Sequence, residues 1–360
     1  MKSLFGIALL VLAGCAGDPY SRLEMATPAL SSGQLAELQT RAKSPEALGI
    51  GVWRQGGMMG LRGINELSVA STVTVPLSRV ETGKPFEPGG RFGVPVVLGT
   101  VNGHDGVRVM LDSGSNQGLS GYTLARSLEL VPIAGLSAVG SHGIGGSVEN
   151  YPALATSVRI GGLELRKLVT MIGPDVQALR VQQFWGSSRV FLLGVNLLRG
   201  LSYLTVDSLR GVVVFGVGES YRPQASSRFV THVPMSWENN LPCVPLKVEN
   251  QGPFPCIVDT GGNYGLLLSR AQATKFGYWR QGKGKVDTST GGAGAGLAAT
   301  YYVGHASVGG ATLVSVPART IVIGPEPAGG QMLIGNEVLR QYRVTFDFKN
   351  QQFWLENAGQ

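Results

Sequence analysis

An internal repeat running from about residue 91 almost to the end narrows the fold of this chain more than any other feature. The first copy opens with Val94-Pro95-Val96-Val97, turns at Asn102-Gly103, and passes through Val107-Arg108-Val109-Met110-Leu111 into Asp112-Ser113-Gly114-Ser115. The second opens with Val244-Pro245-Leu246-Lys247, with its turn expected at Gln251-Gly252, and passes through Cys256-Ile257-Val258 into Asp259-Thr260-Gly261-Gly262. Each Asp triplet precedes a short apolar run and a helix-like stretch, Tyr122 to Leu128 and Arg270 to Phe276. A glycine pair follows at matching distance, 145 − 112 = 33 and 291 − 259 = 32 residues on. Then come Ile160-Gly161-Gly162 and Val308-Gly309-Gly310, and finally Leu192-Leu193-Gly194 and Leu333-Ile334-Gly335, each leading to an Arg, an Asp (Asp207, Asp347) and a closing strand. Landmarks in one order, twice, imply a duplicated unit and two similar lobes packed face to face.

The texture of the chain assigns those lobes to the all-β class. Short Val/Ile/Leu runs alternate with Gly/Asn/Asp/Pro clusters, and the 53 glycines are spread rather than gathered in one tract. The net charge of +7 comes from scattered Lys and Arg, without a basic run, so a nucleic-acid partner is not expected. His104, His142, His232 and His305 lack metal-ligand spacing, and neither a metal nor another cofactor is expected. No Gly-x-Ser-x-Gly elbow is present, and the glycine-rich stretch 291–296 lacks the Lys-Ser/Thr of a phosphate loop.

The N-terminus carries an address. Residues 1–14 have a basic start, an apolar core and small residues before Cys15, the pattern of a secretory signal. Leu12-Ala13-Gly14-Cys15 resembles the bacterial lipobox, which implies diacylglycerol on Cys15, cleavage before it, and acylation of the new amine. With Ala16 rather than Asp next, and a Gram-negative source, the resemblance implies an outer-membrane lipoprotein facing the periplasm. Residues 15–90 read as a tether and N-terminal region with one helix, Gly33 to Lys43, capped by Ser31 or Ser32, and a strand-like run from Leu67 to Leu77. Lobe one is assigned to residues 91–222 and lobe two to residues 223–360. Cys243 and Cys256 lie on neighbouring runs in a compartment that permits a disulfide, so either a bridge or two free buried thiols fits the sequence.

The two Asp triplets carry the chemistry. Asp207 and Asp347, which precede turns, are read as structural. Carboxyls a few ångströms apart share one proton; the ionised partner takes a proton from water and the protonated one donates to a carbonyl. Gly114 and Gly261 allow close backbone approach at the turn, while the Ser113 and Thr260 hydroxyls can bond across the lobe boundary.

These motifs resemble the retropepsin-like aspartic peptidases, fused in tandem as in pepsin, over about residues 91 to 357. Gly194-Val195-Asn196-Leu197-Leu198 is similar to the glycine-and-helix segment of retroviral proteases, and Ser141-His142-Gly143-Ile144-Gly145-Gly146 to their flap tip. The resemblance implies a two-lobed acid-protease fold with pseudo-twofold, barrel-like lobes, with Asp112 and Asp259 as catalytic residues and Ser113 and Thr260 as a cross-lobe grip. It also implies flap tips at Ile144, Gly145 and Gly146 and at Gly291 and Gly292, closing over an extended peptide that adds as a β-strand. Pepsin has one flap, with a Tyr; here both halves carry a glycine-rich candidate. Ser115 is expected to support its carboxylate, whereas Gly262, with no side chain, leaves Asp259 less tightly held. The leading function is a monomeric, lipid-anchored endopeptidase acting on protein or peptide substrates of the envelope. The alternatives are a non-catalytic lipid-anchored peptide binder with a degenerate cleft and a purely structural lipoprotein.

Overall fold

A computed structural model of the 360-residue chain describes residues 29–55, 58–68, 71–78, 94–143, 146–175, 190–280, 285–291, 294–323, 326 and 330–358. Cys15 and the signal segment lie outside them.

The protein has the expected two-lobed all-β fold, and the duplication is visible strand by strand. In lobe one, strands Val96–Val101, His104–Asp112, Gly118–Gly121, Gly146–Ile160, Leu163–Gly173 and Val190–Gly194 form a sheet whose ends meet, because Gly146–Ile160 pairs with both Val96–Val101 and Leu163–Gly173. In lobe two, Leu241–Val248, Gln251–Val258, Leu266–Leu267, Gly294–Val308, Ala311–Ile323 and Met332–Ile334 repeat that order and closure. Alternate residues face inward: Val97, Val101, Val109 and Leu111 in the first lobe and Val244, Leu246, Cys256 and Val258 in the second are fully buried.

Turn chemistry sets the hairpin registers. Asn102 and Gly103, with φ of 49° and 87°, close a two-residue loop between Val101 and His104, as a primed turn requires. The second copy turns at Glu249-Asn250 (φ 47° and 61°), between Val248 and Gln251, not at Gln251-Gly252. Local side-chain bonding explains the shift. Glu249 occupies the place of Asn102, and its carboxylate accepts from the His305 N–H at 3.0 Å, as the Asn102 amide oxygen accepts from Thr156 N–H at 2.7 Å. Gly252 sits instead within the following strand.

A six-stranded sheet joins the lobes, in the order Ser227–Pro234, Gln352–Ala358, Arg343–Asp347, Tyr203–Asp207, Val212–Gly216, Val73–Pro76. At its centre Tyr203–Asp207 pairs antiparallel with its own repeat counterpart, Arg343–Asp347, about the opposed residues Thr205 and Thr345. Their buried hydroxyls are 2.8 Å apart, which marks the pseudo-twofold axis.

The region before the repeat is woven into both sheets. Glu66–Ser68 adds to Leu163–Gly173 of lobe one, and Val73–Pro76 forms an edge of the joining sheet against Val212–Gly216. The helix Ser32–Arg41 is capped by Ser31, with Gln34 completing a reciprocal capping box, and Leu38 enters the lobe-one core. Asp207 and Asp347 accept from the backbone N–H groups of Arg210 and Asn350, each at 3.0 Å, as turn-forming residues do.

Candidate active site

Each Asp ends a strand held in the middle of its sheet. His104–Asp112 lies between Val96–Val101 and a parallel neighbour, Val190–Gly194; Gln251–Val258, which runs up to Asp259, lies between Leu241–Val248 and the parallel Met332–Ile334. The loop after each Asp then folds onto the Gly of the Leu/Ile-Gly segment. A Cβ on Gly194 would lie 2.2 Å from the Gln117 carbonyl oxygen, and one on Gly335 would lie 2.5 Å from that of Tyr264. Only hydrogen fits at these two contacts, and matching backbone bonds lock them, Val195 N–H to Ser115 O and Asn336 N–H to Gly262 O, both 2.8 Å.

The two loops meet across the lobe boundary. Ser113 Oγ accepts from the Thr260 N–H and Thr260 Oγ1 from the Ser113 N–H, each at 3.0 Å. Each hydroxyl then donates onward, Ser113 to the Val258 carbonyl at 2.5 Å and Thr260 to the Leu111 carbonyl at 2.7 Å. Both residues are 1% exposed, so these four bonds have no water to compete with them.

This grip sets the carboxyl groups of Asp112 and Asp259 side by side, each against the glycine of the opposite lobe's triplet. The glycines of the triplets leave the space: a Cβ on Gly114 would sit 2.3 Å from Asp259 Oδ1, and one on Gly261 2.4 Å from Asp112 Cγ. Gly114 and Gly261 also donate their N–H groups to the Oδ1 of their own aspartates, both at 2.9 Å. Each aspartate keeps some solvent-facing surface, but its carboxyl is ringed by protein. Burial, and then the charge of Asp259, push Asp112 well above the ordinary carboxylate range. Burial also raises Asp259, opposed by hydrogen bonds from Tyr264, Asp112 and the Gly261 and Gly262 N–H groups.

Two expectations about the supporting residues are corrected. Ser115 turns its hydroxyl to the Gln117 carbonyl, at 2.8 Å, and supports Asp112 through its backbone N–H. Gly262 does not leave Asp259 loosely held, because the hydroxyl of Tyr264 donates to Asp259 Oδ2. Sequence reading missed Tyr264. The available signal was a paired departure from the repeat, since a glycine stands where the first copy has Ser115 and an aromatic ring where it has Gln117.

Both flap candidates are hairpins. Val139–Gly143 pairs with the start of Gly146–Ile160, ending at Gly143 opposite Gly146; Lys285–Gly291 pairs with Gly294–Val308, ending at Gly291 opposite Gly294. Ile144, Gly145 and Gly292 lie outside the described residues. The strands Gly146–Ile160 and Gly294–Val308 approach each other. Cys243 and Cys256 are free: they pair with Ile257 and Val244 respectively, so their side chains enter different apolar clusters on opposite faces of the hairpin. A bridge between them is sterically excluded without rebuilding the register. His232 stacks on Trp354 with ring centroids 4.4 Å apart, and no cluster of metal-ligating groups is found among the described residues.

Residues 97–197 match the family model described as aspartyl protease, which covers Asp112 and the Gly194 segment of the first lobe. Among solved structures, the chain is similar to basic 7S globulin from soybean, at 12% identity and a TM-score of 0.47, over 80% of this chain and 97% of that one. No curated protein matches the sequence.

Proposed function

We propose that this protein is an aspartic endopeptidase that hydrolyses peptide bonds in extended polypeptide segments, with Asp112 and Asp259 activating the attacking water. The observation that carries the reading is the juxtaposition of two carboxyls from opposite lobes, registered by four buried Ser113 and Thr260 bonds. A pair so placed holds one proton between them, so one member is a base for water while the other is an acid for the carbonyl oxygen. The two hairpins that bear Gly146 and Gly291 are suited to close over a strand-like substrate from both lobes. Since one chain supplies both carboxyls, the active form is a monomer. The resemblance of Leu12-Ala13-Gly14-Cys15 to a lipobox supports a lipid-anchored enzyme on the periplasmic face of the outer membrane, acting on envelope polypeptides. The case for a non-catalytic binder rested on Gly262, and the Tyr264 hydroxyl fills that gap.

The test is cleavage of an unfolded protein by the full chain purified in detergent, across acidic to neutral pH. Asp112→Ala should remove the activity and the thermal stabilisation by a pepstatin-type inhibitor. Equal cleavage by that variant and the parent would refute the reading.

A further inference from the structure

The two aspartates occupy matching places in the repeat, but the atoms beyond them do not match. Asp259 Oδ2 accepts from the hydroxyl of Tyr264, while on the other side the Ser115 hydroxyl is committed to the Gln117 carbonyl at 2.8 Å and that of Ser113 to the Val258 carbonyl at 2.5 Å. The asymmetry is built by two coordinated positions. A Cβ on Gly262 would lie 2.6 Å from both Asp259 Oδ2 and the Tyr264 ring, so the glycine is the space in which the phenol stands. The ring itself is 6% exposed and belongs to an apolar cluster with Val195, Ile257, Leu267, Ala298 and Ile321, which fixes its direction. Gln117 occupies the equivalent place in lobe one.

We propose that Tyr264 is a positioning residue that holds Asp259 as the ionised member of the pair and leaves the shared proton on Asp112, so that Asp259 is the base for the attacking water. The inference rests on the peptidase reading for its catalytic meaning. In the first step a water O–H bond breaks, its proton passes to Asp259, the oxygen bonds to the scissile carbon, and the carbonyl oxygen takes the proton of Asp112. In the second, Asp259 returns a proton to the amide nitrogen, the C–N bond breaks, and a hydroxyl of the diol gives its proton back to Asp112. Both carboxyls end as they began.

The electrostatics agree with the geometry. A hydrogen bond to the charged form of a carboxyl favours that form. Tyr264 stays protonated, and therefore a donor, because burial and then the charge of Asp259 push its phenol well above its ordinary value. Of the two thiols, Cys243 packs in the same apolar cluster as Tyr264, and Cys256 acts on the phenol from the opposite face of its hairpin. Burial raises the first to about 12 and the second well above its ordinary value, so both remain neutral.

The test reads the protons without substrate. The full chain in detergent, labelled with 13C at the Asp carboxyls, is titrated as the parent and as Tyr264→Phe, with Asp112→Asn and Asp259→Asn assigning the signals. In the parent, the lower step should belong to Asp259. In Tyr264→Phe that step should rise by about one pH unit, and the acidic limb of kcat against pH should move with it while KM changes little. An unmoved lower step in a folded Tyr264→Phe, or a lower step belonging to Asp112 in the parent, overturns the proposal. If Tyr264→Phe does not fold, 3-fluorotyrosine at position 264 keeps the ring and strengthens the donor, so the step must then fall, and no movement counts against the proposal equally. A parent that titrates as stated but cleaves no peptide would defeat the peptidase reading while the proton placement stands.

Discussion

Ser113 and Thr260, 147 residues apart in the chain, each accept a hydrogen bond from the other's backbone N–H through the side-chain hydroxyl. Each hydroxyl also satisfies a strand carbonyl in the opposite lobe. Replacing Thr260 by Ala therefore strands two buried partners, the Ser113 N–H and the Leu111 carbonyl. The expected cost is about 2–6 kcal/mol, at roughly 1–3 kcal/mol for each unsatisfied buried group, with peptidase activity falling more steeply than stability. Thr260→Ser should keep both. Denaturant unfolding and cleavage rates on the two variants check this.

Gly114→Ala and Gly261→Ala should each abolish activity. The added methyl would occupy space now filled by the opposite carboxyl, 2.3 Å and 2.4 Å from its atoms. Loss of inhibitor binding together with loss of cleavage is the expected result, measured by calorimetry and turnover.

The pair should impose a pH dependence on stability as well as on rate. Asp112 has a folded-state pKa above its unfolded value. Its protonation therefore stabilises the fold fully below the unfolded value, near 4, and that contribution is lost as pH rises through the raised one. Asp112→Asn, which carries no charge, should raise the melting temperature near neutrality by a few degrees and flatten its fall with pH, and it should be inactive. Melting curves of both proteins from pH 3 to 8 decide it. The parent's rate should fall on the acid side as Asp259 gains a proton and on the alkaline side as Asp112 loses one.

The thiols should be inert. Native alkylation should leave Cys243 and Cys256 unlabelled, unfolding should expose both, and reducing agent should change neither the melting temperature nor the activity. Burial drives both thiols away from the reactive thiolate form. Mass spectrometry after labelling reads this directly.

The segment ahead of the repeat should be indispensable. Leu77, 2% exposed, enters the main core just after the edge strand Val73–Pro76. Leu77→Ala should cost about 2–5 kcal/mol. Removal of residues 1–77 should give insoluble chain rather than an activated enzyme, checked by solubility and turnover.

Much of this fold was legible because duplication writes the same landmarks twice. Turn glycines such as Gly161 and Gly309, the Asp triplets and the glycines at 194 and 335 each have a local steric reason, so each can be seen in the sequence. What was not legible depends on contacts between distant parts. The second hairpin turn moved to Glu249-Asn250 because the Glu249 carboxylate finds the His305 N–H, 56 residues away. The face on which each cysteine lies follows from that register. Glu66–Ser68 and Val73–Pro76 are too short to reveal their partners, and they pair with strands about 100 and 140 residues on. Tyr264 was hidden for a related reason: a gap at one position is a defect until the ring two residues later is known to point into it.

The joining sheet has a mechanical consequence. Tyr203–Asp207 and Arg343–Asp347 are zipped together residue by residue, so the halves cannot swing apart like a clamshell without tearing that ladder. If the proposed peptidase activity holds, a bulky polypeptide would have to reach the dyad past the two hairpin arms rather than through a parting of the lobes.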